Sequence, residues 1–504
     1  MDLHGTRLER SARRRREPSR RTARGTAVSL SVRRGVIVAG VVAVLVAVGL
    51  VDANVGRPPR AAAAPSVVPA AGVSAVLPPG SGSGAWFCAG GSGPQAGAEV
   101  SVVVTNPTPA TVTGTMVAVP SKGASKRVAI DVAPGGITSV TPAQVAGGPW
   151  VAAEVLLDQP GAGVTETVAT PLGWSTTPCA STTATSWYFT GLSTAGQDGV
   201  ALSILNPTVT PAVVDTTLTT SVGQKLQPAA YQGVTVAPGA LVTEYLSDHD
   251  EGDPNLSATV TAVSGTVVAA ALQSFTAHGA QGVAIDLGAA GTATRWAFPS
   301  SEEIPGGSVS YVVFDPGRRA ARVQMAVQFD QGSASPIAVS VPAGQAVVVQ
   351  ASSEARVPVG SPFAATFTST TGVVVARDVR APGSGGTPEQ GLSLGVPVPS
   401  RTWLVPPITS PGQEPWSFAV QDLGTRAVSV SVSAVTGTGS TVPVAGLQHV
   451  SVTAARPFVI SGSVPAPVGS LPLLVSASGP VAVELDPEPV GSPGVVVLPT
   501  EPVG

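Results

Sequence analysis

A long internal repeat constrains this chain more than any other feature. Trp86, Trp187, Trp296 and Trp403 are spaced by 101, 109 and 107 residues, and each is followed by apolar residues: Trp86-Phe87, Trp187-Tyr188-Phe189, Trp296-Ala297-Phe298 and Trp403-Leu404-Val405. Three further landmarks recur after the tryptophans in the same order. The first is Asn106-Pro107, Asn206-Pro207 and Asp315-Pro316, with Asp422-Leu423-Gly424 as a degraded fourth copy. The second is Pro134-Gly135, Pro238-Gly239 and Pro342-Ala343-Gly344, with Thr453-Ala454-Ala455 where a fourth is expected. The third is Ser264-Gly265, Thr371-Gly372 and Ser478-Gly479, each opening a short apolar run. Self-similarity at a fixed period marks a chain built of like structural units.

Between landmarks the hydrophobic period is two. Val428, Val430 and Val432 alternate with serines, and Val323, Met325, Val327 and Phe329 alternate with Arg322, Gln324 and Gln328. That is the pattern of a strand with one buried and one wet face. Asn-Pro and Pro-Gly are turn dipeptides, because proline fixes φ and glycine tolerates positive φ. About seven short strands in each unit of about 100 residues predict an all-β fold of four tandem immunoglobulin-like β-sandwich repeats. The alternative topology is a β-propeller with two blades in each repeat.

Composition fits this reading. Only 11% of residues are charged and 4% aromatic, while 58 glycines and 48 prolines supply the turns. Residues 1–34 hold 11 arginines and form a basic tail; residues 35–51 carry no charge and no proline. Seventeen apolar residues are at the short end of a membrane-spanning helix. Arginines before the span and Asp52 after it place the amino terminus in the cytoplasm. We expect an uncleaved signal anchor, followed by a Pro/Ala/Gly linker at 52–84 and β units at 85–180, 181–290, 291–400 and 401–504. The outer region has an excess of acidic residues, which argues against a nucleic-acid partner. The expected location is the cell membrane, single-pass, with the carboxy-terminal region extracellular.

Cys88 and Cys179 bracket the first unit. In an oxidising compartment such a pair predicts a disulfide. No catalytic constellation is apparent: His4, His249, His278 and His449 fall in different places and suggest no triad. No catalytic, cofactor-binding or metal-ligating residue is assigned, and an enzyme is not expected. The polar run Ser247-Asp248-His249-Asp250-Glu251-Gly252-Asp253-Pro254-Asn255 reads as a solvated loop, with Ca²⁺ binding as the alternative. Trp86, Trp187, Trp296 and Trp403 read as repeat-defining packing residues, with exposed platforms for sugar rings as the alternative.

Taken together, the Trp-aromatic-Phe opening, the Asn-Pro turn, the Val-x-Pro-Gly turn and the Gly-Val-Val-Ala strand resemble a family of uncharacterised actinobacterial membrane-anchored envelope proteins, the domain of unknown function DUF5719. The resemblance covers residues 86–485. Its most specific parts are Trp86-Phe87-Cys88-Ala89-Gly90-Gly91 and the second cysteine ahead of the next Trp-aromatic pair. The fourth unit departs from the pattern at Asp422-Leu423 and in its missing Pro-Gly turn. The resemblance implies an extracytoplasmic location and a single amino-terminal span, and no activity. The expected function is therefore a non-catalytic structural or protein-interaction module of the cell envelope. The rival is a cell-surface glycan-binding protein, or an accessory subunit of envelope polysaccharide enzymes. Membrane, envelope proteins and glycans are the expected partners.

Overall fold

The computed structural model describes residues 84–93, 97–329, 332–383, 386–407, 416–453, 458–460, 471–487, 498–499 and 501–502. The basic tail, the apolar segment 35–51 and the linker as far as residue 83 lie outside the described residues. Among those described, no helix is long and apolar enough to cross a membrane. The chain is all-β, with several antiparallel sheets.

The first segment sets the pattern. Its strands are β1 (Gly84–Cys88), β2 (Glu99–Thr105), β3 (Val112–Pro120), β4 (Lys126–Val132), β5 (Ile137–Val140), β6 (Val151–Leu157), β7 (Gly163–Thr170) and β8 (Gly173–Pro178). One sheet has the order β1-β6-β3-β4 and the other β5-β2-β7-β8. Trp86, Met116, Ile130 and Val155 of the first sheet meet Val102, Val104 and Val164 of the second in one buried cluster. The chain crosses between the two sheets five times and pairs in sequence only at β3–β4 and β7–β8, whereas a propeller blade would pair each strand with the next.

The same order recurs in the second segment. It contains β9 (Ser186–Leu192), β10 (Gly199–Asn206), β11 (Ala212–Thr219), β12 (Lys225–Leu226), β13 (Val234–Val236), β14 (Ala240–Tyr245), β15 (Leu256–Ser264), β16 (Val268–Phe275) and β17 (Gly282–Leu287). Its sheets are β12-β11-β15-β9, with β13 also on β11, and β14-β10-β16-β17. The third segment contains β18 (Ala293–Glu302), β19 (Ser308–Asp315), β20 (Ala321–Phe329), β21 (Ile337–Val341), β22 (Gln345–Gln350), β23 (Pro362–Ala381) and β24 (Glu389–Leu394). Here the sixth and seventh strands are one. Residues of β23 up to Val373 pair with β18 and β20, and residues from Val374 onward pair with β19 and β24. In the second segment Gly265 takes φ +74° and breaks the strand at that corner.

The fourth segment repeats the fusion. It comprises β25 (Ser400–Val405), β26 (Trp416–Asp422), β27 (Val428–Val435), β28 (Thr441–Pro443), β29 (Val450–Val452), β30 (Phe458–Ile460), β31 (Leu473–Pro487), β32 (Leu498–Pro499) and β33 (Glu501–Pro502). The alternation read from the sequence is seen on β27, where Val428, Val430 and Val432 are buried and the intervening serines are not. All the described residues fall in one compact unit.

The segments meet along their last strands. Strand β17 lies against β8: the Ile285 N–H donates to Ser175 Oγ and the Leu287 N–H to Thr177 Oγ1, each at 3.1 Å. On the other side the Gln281 N–H donates to the Pro388 carbonyl at 2.8 Å and the Gln390 N–H to the Gln281 carbonyl at 2.9 Å. Open sheet edges that would template aggregation are thereby covered. The approach is close enough that a Cβ on Gly282 would lie 1.9 Å from the Gln390 carbonyl oxygen. The fourth segment returns to the first. Leu404 joins the first segment's core, Trp174 of β8 joins the fourth's, and a Cβ on Gly135 would strike the Thr436 carbonyl oxygen at 1.7 Å. The fourth segment therefore packs against the first.

Candidate functional site

The four repeat-defining side chains are buried. Trp86, Trp187, Trp296 and Trp403 are 2%, 1%, 1% and 1% exposed. The Nε1–H groups of Trp187, Trp296 and Trp403 donate to the main-chain carbonyls of Val267, Val373 and Val481, at 2.8, 2.8 and 3.0 Å. A buried indole satisfied in this way ties the first strand of a unit to the corner between its sixth and seventh strands. None of the four rings is available as a platform.

The Asn-Pro landmark is an Asx turn whose side chain also reaches across its own unit. Asn206 Oδ1 accepts from the Thr208 N–H at 3.0 Å, and its Nδ2 donates to the carbonyls of Thr210 and Val236 at 2.8 and 2.9 Å. Asn106 repeats the arrangement with Thr108, Ala110 and Val132. In the later units aspartate keeps only the accepting half: Asp315 Oδ1 accepts from Gly317 N–H at 2.8 Å and Asp422 Oδ1 from Gly424 N–H at 2.7 Å.

Cys88 and Cys179 are joined in a disulfide with Cα atoms 4.6 Å apart. Glu166 lies beside it: one carboxylate oxygen and both sulfurs fall within 4.8 Å of one another. Glu166 accepts from the Gly90 N–H at 3.2 Å, and burial pushes its carboxyl up to about 8. This is the only triple of potential metal ligands among the described residues, and its thiols are consumed by the disulfide. The acids of Ser247–Asn255 do not converge. Asp253 instead staples the loop, accepting from the N–H groups of Ser221 and Asn255 at 2.8 Å each. His249 packs edge-on against Tyr231, and His449 occupies a positive-φ turn. His4 and the side chain of His278 lie outside the described residues.

Between the first two segments the structure opens a cleft of about 760 Å³. Trp150 and Tyr245 line it, with Asp248 and Glu251 from the polar loop and with Gln197 and Ser274. The Trp150 Nε1–H donates to Tyr245 Oη at 2.5 Å, and the two rings meet edge to face with centroids 5.9 Å apart. Trp150 lies outside the repeating landmarks and Tyr245 is 95 residues away, so sequence periodicity has no signal for this pair.

Residues 139–455 match the sequence profile of a family of unknown function, DUF5719. The chain belongs to that family. The matched stretch takes in the DUF5719 chain's Asn206 and Asp315 turns and, of the cleft lining, every residue but Gly97 and Ala98. No curated protein matches the chain. Among solved structures, one described as Thermotoga maritima 1070 is 15% identical over 21% of this chain and 94% of its own, with a TM-score of 0.19. An Anabaena sensory rhodopsin transducer is 23% identical over 17% of this chain and 94% of its own, with a TM-score of 0.16. A tetra-tandem repeat from the extending region of a large adhesion protein is 12% identical over 84% of this chain and 100% of its own, with a TM-score of 0.10. Scores at this level carry no argument about fold or function.

Proposed function

We propose that this chain is a non-catalytic, membrane-anchored extracytoplasmic protein of an actinobacterial type, held by a signal anchor at 35–51. It serves as a structural or protein-interaction module of the cell envelope. Each outer unit is read as an immunoglobulin-like β-sandwich in the broad sense of two antiparallel sheets face to face, with its own strand order. The observation that carries this reading is the burial of all four repeat tryptophans. What recurs from unit to unit is packing and turn chemistry, not a reactive group. The covered sheet edges and the disulfide suit a domain that must keep its form outside the cell. Protease added to intact cells, followed by fractionation, tests it. A membrane-bound chain cut from outside supports the reading, and a chain protected in the cytosol overturns it.

A second reading, glycan binding or service as an accessory subunit to envelope polysaccharide enzymes, is favoured by one observation. The Trp150–Tyr245 cleft combines aromatic and polar groups. Binding of soluble envelope glycan to the purified chain tests it.

A further inference from the structure

The cleft between the first and second segments has the size and chemistry of a ligand site. Its volume of about 760 Å³ falls in the range of about 300–1,000 Å³ common to small-molecule sites. Tyr245 is 45% exposed, so part of its ring is available for contact. Its hydroxyl oxygen already accepts from Trp150, which fixes the ring and leaves the O–H free to donate.

Charge narrows the ligand class. Among the described residues no lysine, arginine or histidine lines the cleft, while Asp248 and Glu251 stand exposed at its edge. A phosphate or uronate would find no cationic partner there. A cationic segment fits less well than a neutral one. Asp198, the buried carboxylate of the lining, already accepts from the Thr276 and Ala277 N–H groups at 2.6 and 2.8 Å and from Ser193 Oγ at 2.6 Å. The two free carboxylates are in water, where salt screens them. What remains is a flat aromatic face beside side chains that both donate and accept, among them Gln197 and Ser274, the complement of sugar hydroxyls on an apolar ring face.

We propose that this cleft binds an uncharged segment of a glycan chain. A sugar ring lies against Tyr245, and Asp248 and Glu251 accept from its hydroxyls. The proposal rests on the glycan reading above and gives it an address.

The test uses the full chain in detergent micelles. Intrinsic fluorescence and calorimetry follow titration with neutral α-glucan, β-glucan and β-galactan tetrasaccharides, beside an oligogalacturonate and a tetra-arginine peptide. One neutral tetrasaccharide should bind saturably and the oligogalacturonate should not. Tyr245→Ala should weaken binding about tenfold and Tyr245→Phe by no more than about threefold, since the ring carries the contact. The exposed Glu251→Gln variant, which leaves the fold untouched, should weaken it about threefold, the value of one hydrogen bond. Neutral binding that ignores all three variants removes the ligand from this cleft and leaves the glycan reading standing. Absence of any neutral binding overturns both. Tetra-arginine binding lost in the Asp248→Asn, Glu251→Gln double variant would make the cleft a site for basic peptides.

Discussion

Arg377 and Glu484 are separated by 107 residues, one repeat length, and face each other inside the protein as a buried ion pair. Arg377 also donates to Ser301 Oγ at 3.0 Å and lies over the Phe298 ring at 5.5 Å, while Glu484 accepts from the Ser300 N–H at 3.1 Å. The pair joins the seventh-strand portion of β23 to that of β31, and so fixes the third segment against the fourth. Removing one partner strands the other charge in a dry interface. Arg377→Met or Glu484→Gln alone should destabilise by about 3–5 kcal/mol, and the double replacement by distinctly less. Denaturant unfolding of the two singles and the double checks this. Additive losses would mean that the groups do not interact.

Asp315 occupies the turn position that Asn106 and Asn206 hold in the earlier units. Where those amides donate to carbonyls, an ionised carboxylate has no hydrogen to give. Burial raises the Asp315 pKa, against the lowering effect of the Gly317 and Ala321 N–H groups and of Lys225. Asp315→Asn should stabilise the chain at pH 7 by about 1 kcal/mol, and Asn206→Asp should cost at least as much. Thermal melts at pH 7 decide it; a destabilised Asp315→Asn variant would show that the carboxylate is needed there.

The disulfide closes a loop of 91 residues around the first unit, while the later units contain no cysteine. Replacing both cysteines by alanine should therefore cost about 2–5 kcal/mol. Hydrogen exchange should show the loss concentrated in residues 84–180. Uniform loosening of all four segments would contradict a local role.

The strands were legible because each unit buries one face, so side chains at i and i+2 must agree, as Val323, Met325 and Val327 do on β20. The tryptophans and Asx turns were legible because the same local problem recurs four times and is solved with the same residues. Contacts between units have no such redundancy. Arg377 pairs with Glu484, Trp150 with Tyr245, and Ser175 with the Ile285 main chain, each once. The period can align Arg377 with Glu484, but it does not say that equivalent positions of two units touch. The fused β23 was hidden for a different reason: Gly265 and Gly372 look alike in sequence, but only Gly265 adopts the positive φ that breaks a strand.

Glu166 makes the first unit's stability depend on pH. Its carboxyl sits at about 8 instead of the ordinary 4.5, raised by burial and partly opposed by the Gly90 N–H. A Cβ on Gly90 would strike Ile285, so water is excluded from that side by the second segment. The folded state holds the proton across a range in which the unfolded chain releases it. The stability this contributes is thus fully present below about pH 4.5 and is lost as pH rises through about 8. Glu244 and Asp286, both raised by burial to about 7, act in the same direction. The chain should therefore melt at a lower temperature at pH 8 than at pH 5. Glu166→Gln, a permanent mimic of the neutral acid, should recover about 2–4 kcal/mol at pH 8 and change stability by less than about 1 kcal/mol at pH 5. Melting curves of the two proteins across this interval test the sign directly. A variant that is less stable at pH 8 would mean that Glu166 is ionised in the folded protein and that its charge is held by the groups around the disulfide.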